Sequence, residues 1–260
     1  MPTALITGAS SGLGEQFAYA LAHQKYDLVL VARRKDRLES VAARAREFGA
    51  ARVELIVVDL ARREGPQQVC SQLEAARITV DYLVNNAGFG TSGNFASLPL
   101  ERESEEIDLN ISALVALTRL LLPPMVERHS GTIINVASTA SFQAVPYMTT
   151  YAATKAFVLS FTEGLAGELV GSGVRVMALC PGPVKTEFQA VANNERSLMP
   201  EFIYVPAEKV VADGIAAAAS GRTVYIAGIL NAASAAMTRF VPRALIRMIA
   251  RRIYRPAADQ

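Results

Sequence analysis

The segment Tyr151-Ala-Ala-Thr-Lys155 sets a phenol and an ammonium four residues apart. On a helix those positions share a face, so the lysine charge can lower the phenol's pKa from about 10 toward neutrality. A phenol tuned in this way passes a proton to or from a carbonyl or hydroxyl oxygen. Ser138 lies 13 residues earlier, just past an apolar β-rich run, and its hydroxyl could hydrogen-bond the same oxygen. Each also has a plainer reading: a surface Tyr/Lys pair, and a serine that caps a helix or sits in a loop.

A second constellation stands at the N-terminus, Thr7-Gly8-Ala9-Ser10-Ser11-Gly12-Leu13-Gly14, between an apolar run and a helical pattern. Glycines permit a tight turn and close backbone approach, and a helix N-terminus offers free N–H groups to a pyrophosphate, so a dinucleotide belongs there. The spacing Gly8, Gly12, Gly14 departs from the generic GxGxxG, and a purely structural glycine turn is the alternative. Arg33 and Arg34 follow the second apolar run, about 20 residues further on. An acid at this place takes the ribose hydroxyls of NAD, whereas arginine suits the extra phosphate of NADP. The alternative is that both arginines belong to the solvated start of the next helix.

The elements that must carry these residues alternate. Strand-like runs at Thr3–Thr7, 28–32, 53–58 and 80–84 are separated by helical patterns at 13–24, 35–48 and 65–76. A long helical stretch at 101–128, a strand at 131–137, a helix at 151–169 and a strand at 174–179 continue the series. A helix at 206–220 and a strand at 223–227 end it. Strands apolar on both faces and separated by helices form a parallel sheet covered on both sides. Residues 187–206 lack periodicity and read as a substrate loop. The pattern gives one domain over 1–227 and a helical extension over 228–260.

With 260 residues, 51% of them hydrophobic and 19% charged, the chain has material for a large core, and disorder is excluded. Cys70 and Cys180 fit neither a disulfide framework nor a zinc cluster, and His23 and His129 fit no metal-ligand spacing, so no metal is expected. The start of the sequence lacks the basic region of an export signal. The charge-free stretch 129–154 holds Asn135, Gln143 and Pro146 and reads as the interior of a soluble protein. A cytoplasmic location is expected. Six arginines stand after Gly228 against Asp259 alone, while the rest of the chain is acidic overall, so a nucleic-acid partner is not expected. Arg239, Arg243, Arg247, Arg251 and Arg255 recur every four residues beside Phe240, Leu245, Met248, Ile249 and Ile253, with Pro242 starting a second helical piece. Such a segment can pack on its own domain, on a partner subunit, or on an anionic membrane surface.

Taken together, TGxxxGxG at 7–14, Asn85-Asn86-Ala87-Gly88, Ser138, YxxxK at 151–155 and Pro181-Gly182 resemble the short-chain dehydrogenase/reductase family of classical type, in order and spacing from residue 3 to about 227. The resemblance implies an α/β fold with a Rossmann-type doubly wound parallel sheet. It implies that Tyr151 is the general acid/base, that Lys155 lowers its pKa and binds the nicotinamide ribose, that Ser138 polarises the carbonyl, and that Asn110 holds a water in a proton relay. The implied cofactor contacts are Gly8, Ser10, Ser11, Gly12, Leu13 and Gly14 in the turn, then Arg33 and Arg34, then Asp59 and Leu60 at the adenine. Asn86, Ala87 and Gly88 line the cofactor, and Pro181, Gly182, Val184 and Thr186, with Tyr151 and Lys155, complete the set. Ser11 stands where some NADP enzymes of the family have a second basic residue, so NADP(H) preference rests on Arg33 with help from Arg34.

Phe142, Gln143, Val145 and Tyr147 precede the catalytic tyrosine, and Phe89 and Phe188 flank the pocket mouth. With Ser138 they suit a lipophilic carbonyl compound or its alcohol, such as a 3-oxoacyl chain, a steroid or a retinoid. The family implies a homodimer or homotetramer through the long helices. The competing reading is a cofactor-binding scaffold or redox-sensing regulator without turnover; a pure binder has no need of the set Asn110, Ser138, Tyr151 and Lys155.

Overall fold

Seven strands, β1 Thr3–Thr7, β2 Asp27–Ala32, β3 Val53–Val57, β4 Tyr82–Asn85, β5 Gly131–Val136, β6 Val174–Cys180 and β7 Val224–Ile226, form one sheet in a computed structural model that describes residues 1–185, 187 and 203–255. All pair in parallel, in the order β3-β2-β1-β4-β5-β6-β7. Leu28–Val31 and the whole of β5 are buried, as strands covered on both faces must be. The fourth strand begins at Tyr82 rather than at residue 80. Asp81 instead anchors the strand's start, its carboxylate accepting from the Thr3 backbone N–H at 2.8 Å.

Helices α1 Gly12–His23 and α2 Lys35–Glu47 cover one face with α7 Ala207–Ala219; α3 Gly65–Ala75, α5 Leu114–Glu127 and α6 Thr149–Glu168 cover the other. Phe17 and Leu21 on the first face and Leu117 and Met125 on the second are fully buried. Each such side chain contributes about 2 to 3 kcal/mol of transfer free energy. The stretch expected as one helix over 101–128 is broken. α4 Leu100–Ile107 leads into a π-helical segment, Asp108–Ala113, before α5 begins. Leu100–Glu127 is also, among the described residues, the one helical stretch long and apolar enough to cross a membrane. Here Leu114, Leu117 and Met125 bury its apolar side within the helical layer.

After β7 the chain adds α8 Ile229–Met237 and α9 Arg243–Tyr254, the latter preceded by Pro242 as expected. The substrate loop expected over 187–206 lies mostly outside the described residues.

The turn after β1 is tightly packed. Gly8 (φ +64°) and Gly12 (φ +59°) are left-handed, and a Cβ on Gly14 would meet the Gly8 carbonyl oxygen at 2.2 Å. The Gly8 carbonyl is backbone and cannot rotate away, and the Asn86 amide nitrogen, next nearest at 2.6 Å, is tied to the same turn by hydrogen bonds. Gly14→Ala is expected to cost about 1 to 3 kcal/mol by overpacking and to lower the melting temperature by roughly 2 to 10 °C in a chain of this size. An unchanged thermal unfolding midpoint would show that the turn is slack.

Candidate active site

The site is built at the carboxyl ends of the strands, beginning where strand order reverses between β1 and β4. Thr7, the last residue of β1, donates its hydroxyl to the Val84 carbonyl at 3.2 Å and accepts from the backbone N–H groups of Asn86 and Ala87, both at 2.9 Å. The Asn86 amide donates back to the carbonyls of Thr7 (2.9 Å) and Gly8 (3.3 Å). Asn86 therefore lines the cleft and also holds the glycine turn in place. The cleft, of about 440 Å³, is floored here by Gly8, Ser10, Ser11, Gly12 and Leu13, with Asn86, Ala87 and Gly88 beside them. Gly14 stands behind this floor, where its missing side chain lets the helix approach the turn.

Toward β2 and β3 the cleft is bordered by Arg33 and Arg34 and by Asp59 and Leu60. Arg33 is largely exposed and lies 3.9 Å from the Asp59 carboxylate. Arg34 turns inward, donating to the hydroxyls of Ser10 (3.2 Å) and Ser11 (3.0 Å) and to Glu187 (2.9 Å). Hydrogen bonding to Arg34 holds the Glu187 carboxyl below its usual range, and Arg37 at 3.8 Å adds to that. Two guanidinium groups thus stand beside the glycine turn, one almost free and one held by an exchangeable carboxylate.

At the other end, α6 presents Tyr151 and Lys155 on one face, one turn apart. Lys155 is buried and donates to the Val136 carbonyl at 2.8 Å. Burial pushes its pKa down to about 8 against the pull of Glu106. Ser138 follows β5 and caps the 3₁₀ turn Thr139–Phe142, accepting from the Ala140 N–H at 3.1 Å. Capping does not occupy it fully, because the same hydroxyl hydrogen-bonds Tyr151. The sequence argument expected the lysine to draw the phenol's pKa down. Instead burial raises the Tyr151 pKa, and the opposing group is Ser138 rather than Lys155, whose ammonium stands 5.9 Å from the ring centre.

Asn110 sits in the π-helical segment, where the widened turn sends its side chain inward. Its amide donates to the Phe89 carbonyl (2.8 Å) and the Thr154 hydroxyl (3.0 Å), and its Oδ1 accepts from the Phe89 N–H (3.1 Å). A Cβ on Gly88 would lie 2.8 Å from Asn110 Oδ1 and 3.4 Å from Lys155 Nζ, so both polar atoms border the same point of the cleft. Pro181, Gly182 and Val184 close the rim after β6.

Several residues depart from expectation. Phe142 does not line the cleft; it packs under β6 and α6 against Leu114, Val158 and Cys180. Gln143 is absent from the lining as well, because it is the extended residue that ends the 3₁₀ turn. Thr186 and Phe188 lie outside the described residues. Val145 and Phe89 do line the cleft, joined by Met148, Tyr204 and, from the end of α9, Tyr254. Tyr254 packs against Val145, Met148, Ala152 and Tyr151, and burial pushes its phenol up to about 12. Sequence periodicity marked α9 but gave no sign that it ends beside Tyr151.

A buried acid pair was also missed. Glu103 and Glu106 share the hydroxyl of Thr91, at 2.5 Å from Glu103 Oε1 and 2.8 Å from Glu106 Oε2. Thr150 donates to Glu103 as well, and the Thr91 N–H donates to Glu106 Oε2 at 2.9 Å. One hydroxyl proton cannot serve two carboxylates, so one acid must carry a proton of its own. Glu106 is fully buried and its Oε1 has no partner. Burial pushes its pKa up to about 7, which makes it the protonated member.

The short chain dehydrogenase family model matches residues 2–197. Among curated relatives, a short chain dehydrogenase of Pseudocercospora fijiensis is 37% identical over 72% of this chain, and the match spans only 61% of that relative's length. The ketoacyl reductase HetN of Nostoc sp. is 32% identical over 92% of this chain and 82% of its own. Among solved structures, a short-chain dehydrogenase from Sphingobium yanoikuyae in complex with NADPH superposes with a TM-score of 0.81 at 35% identity, over 94% of this chain and 98% of that one.

The acid pair yields a stability prediction. The folded pKa of Glu106 lies near 7 against 4.5 for the free side chain. Between those values the unfolded chain releases a proton that the folded chain keeps, so stability is lost as pH rises from about 4.5 to 7. The loss is on the order of 3 kcal/mol. Glu106→Gln, which cannot ionise, should remove that component: denaturant unfolding of the variant against the parent should show a relative gain at pH 8 that vanishes at pH 4.5. Parallel pH curves would mean that the acids share their proton differently.

Proposed function

The chain belongs to the short-chain dehydrogenase family, and from that premise we propose that it is an NADP(H)-dependent oxidoreductase acting on the carbonyl or secondary alcohol of a lipophilic substrate. The observation that carries the reading is the convergence of Ser138, Tyr151, Lys155 and Asn110 at one end of a cleft whose other end is bordered by Arg33 and Arg34. The residues fit a dinucleotide: left-handed glycines bare the backbone of the turn, and Gly88 leaves open the point between Asn110 and Lys155 that a side chain would fill. The two guanidinium groups fit a ribose phosphate, with Glu187 yielding its place to it.

When bound, the nicotinamide supplies or takes the hydride. Ser138 holds the substrate oxygen by its hydroxyl while Tyr151 gives that oxygen its proton or removes it. Lys155, with a pKa pushed down to about 8 and its ammonium donating to the Val136 carbonyl, can return a proton toward the phenol. Asn110 fixes the backbone of Phe89 beside it. The Tyr151 phenol is protonated at neutral pH, with burial raising its pKa further, the form that the acid role in carbonyl reduction requires. The wall of Phe89, Val145, Met148, Tyr204 and Tyr254 suits a flat or chain-like apolar substrate, a 3-oxoacyl chain or a steroid. Homodimer or homotetramer assembly through α5 and α6 belongs to the same reading. Leu120, and Phe157 stacked 6.0 Å from Phe161, give those helices outward apolar surface. Two buried free thiols suit a reducing cytoplasm.

Titration with NADPH and NADH, followed by nicotinamide absorbance across aldehydes, ketosteroids and 3-oxoacyl thioesters, tests the proposal. Tyr151→Phe should retain NADPH binding and lose roughly 100-fold or more in kcat. Arg33→Ala with Arg34→Ala should weaken NADPH roughly 10- to 100-fold and leave NADH unaffected. Alcohol oxidation should quicken as pH rises, since it needs the ionised phenol, while reduction stays level near neutrality. NADPH binding with no turnover on any class would favour the scaffold reading; binding of neither nucleotide would overturn both.

A second prediction concerns the wall contributed by α9. Tyr254→Ala should raise KM for the bulkiest carbonyl substrates accepted while leaving kcat on a small aldehyde near the parent value. An equal loss on small and bulky substrates would show that Tyr254 supports the catalytic tyrosine rather than selecting substrate.

A further inference from the structure

The C-terminal helices concentrate exposed apolar surface. Of fifteen large hydrophobic residues exposed among the described residues, seven fall between Ile229 and Ile249. Ile229 is 88% exposed, Phe240 81% and Met248 63%. Among the described residues nothing covers these side chains, and exposed apolar surface concentrated in this way marks an interaction site.

On α9 the exposed residues divide into stripes. Leu245, Met248, Ile249 and Arg252 stand at i, i+3, i+4 and i+7 and share a face. Arg243, Arg247 and Arg251, spaced by four, form an adjoining basic stripe, and all are exposed. The face turned to the domain carries Ala250, with Ile246, Ile253 and Tyr254 partly covered. No acidic residue lies between Asp213 and Asp259.

This pattern selects among occupants. A two-fold contact between copies through α9 sets the same surface against itself, and the segment brings no carboxylate to meet its arginines, so like charges would face one another. A nucleic acid would take the arginines and leave Leu245, Met248, Ile249 and Phe240 without cover. An anionic bilayer satisfies both stripes at once: the apolar side chains enter the boundary of the acyl region and the guanidinium groups lie at the level of the phosphates.

We propose that α9, with the turn around Phe240 that precedes it, is a docking surface for an anionic lipid bilayer. The docking is independent of the redox reading. Where that reading holds, the same helix carries Tyr254 into the cleft, so the docked surface and the substrate wall are one element.

Flotation of the full chain with vesicles of phosphatidylcholine alone, and of phosphatidylcholine mixed with phosphatidylglycerol, tests the proposal without turnover. The protein should rise with the mixed vesicles at low salt and not with the neutral ones, and should be released as salt approaches 1 M, where screening reaches within about 3 Å. At about 1 kcal/mol per arginine near the surface, Arg247→Gln with Arg251→Gln should weaken partition roughly 30-fold. Phe240→Ser with Met248→Ser should also lose binding, with an unfolding midpoint no lower than the parent's. Absence of flotation with either vesicle overturns the proposal, as does equal flotation with both that ignores the arginine variant. Light scattering supplies a separate arm: if the Phe240 and Met248 variant splits a dimer and the parent binds no vesicle, the surface belongs to a second copy.

Discussion

The cleft depends on the seam between β1 and β4. Right-handed crossovers on either side of that seam leave in opposite directions, so the chain parts above it and no loop fills the gap. The gap would be useless if its two lips moved independently. Thr7 and Asn86 join them by five hydrogen bonds, one of which returns to the strand carbonyl of Val84. Because the turn glycines are packed against this joint, with Ala87 Cα only 2.9 Å from where a Gly8 Cβ would stand, the floor of the cleft is fixed by backbone atoms. A floor made of backbone cannot rearrange by rotamer changes, and it is suited to a ligand that must present one end at a fixed distance from a reacting group.

The second organising feature is the uneven treatment of charge around α6. Lys155 is buried on a carbonyl, Glu106 is buried with an unpartnered oxygen, and Tyr151 lies between Ser138 and Tyr254. Burial acts in the same sense on each, toward the neutral form, so protons remain on the two acids while the lysine holds its own more loosely. A phenol held in its neutral form stands beside an ammonium that releases its proton more readily, so a proton lost from the first can be replaced from the second. The simple picture of a lysine that ionises a neighbouring tyrosine omits the desolvation that comes with placing both in a dry cleft.

Much of this was legible in the sequence because it was written in local terms. Short runs apolar on both faces, with helical patterns between them, marked every strand, and the misplaced start at residue 80 reflects an apolar Val80 that precedes the anchoring Asp81. Glycines at 8, 12 and 14, the Tyr151/Lys155 spacing and Ser138 were readable because each motif requires a residue type that local geometry dictates. Phe142 was misjudged for the opposite reason: its position near Tyr151 in sequence says nothing about which side of a 3₁₀ turn it faces. The acid pair and the π-helical widening at Asn110 depend on which residues α4 meets across the fold. A Glu-rich stretch such as Leu100–Ile107 reads as a solvated face until Thr91 and Thr150 are seen beneath it.

Tyr254 lies furthest from local legibility. It stands beyond the region matched by the family model, which ends at residue 197, in a segment whose pattern is that of a cationic surface helix. Nothing in that pattern distinguishes a helix that only floats on the domain from one that reaches its reacting centre. The distinction comes from a single boundary: Pro242 fixes where α9 starts, and a helix of twelve residues from Arg243 then ends at the cleft. Moving the proline by one residue would rotate every later side chain by about 100° around the axis, which would bring Ile253 or Arg255 to the place that Tyr254 holds. The register set by Pro242 thus decides both which side chain closes the wall of the cleft and which residues form the exposed stripes.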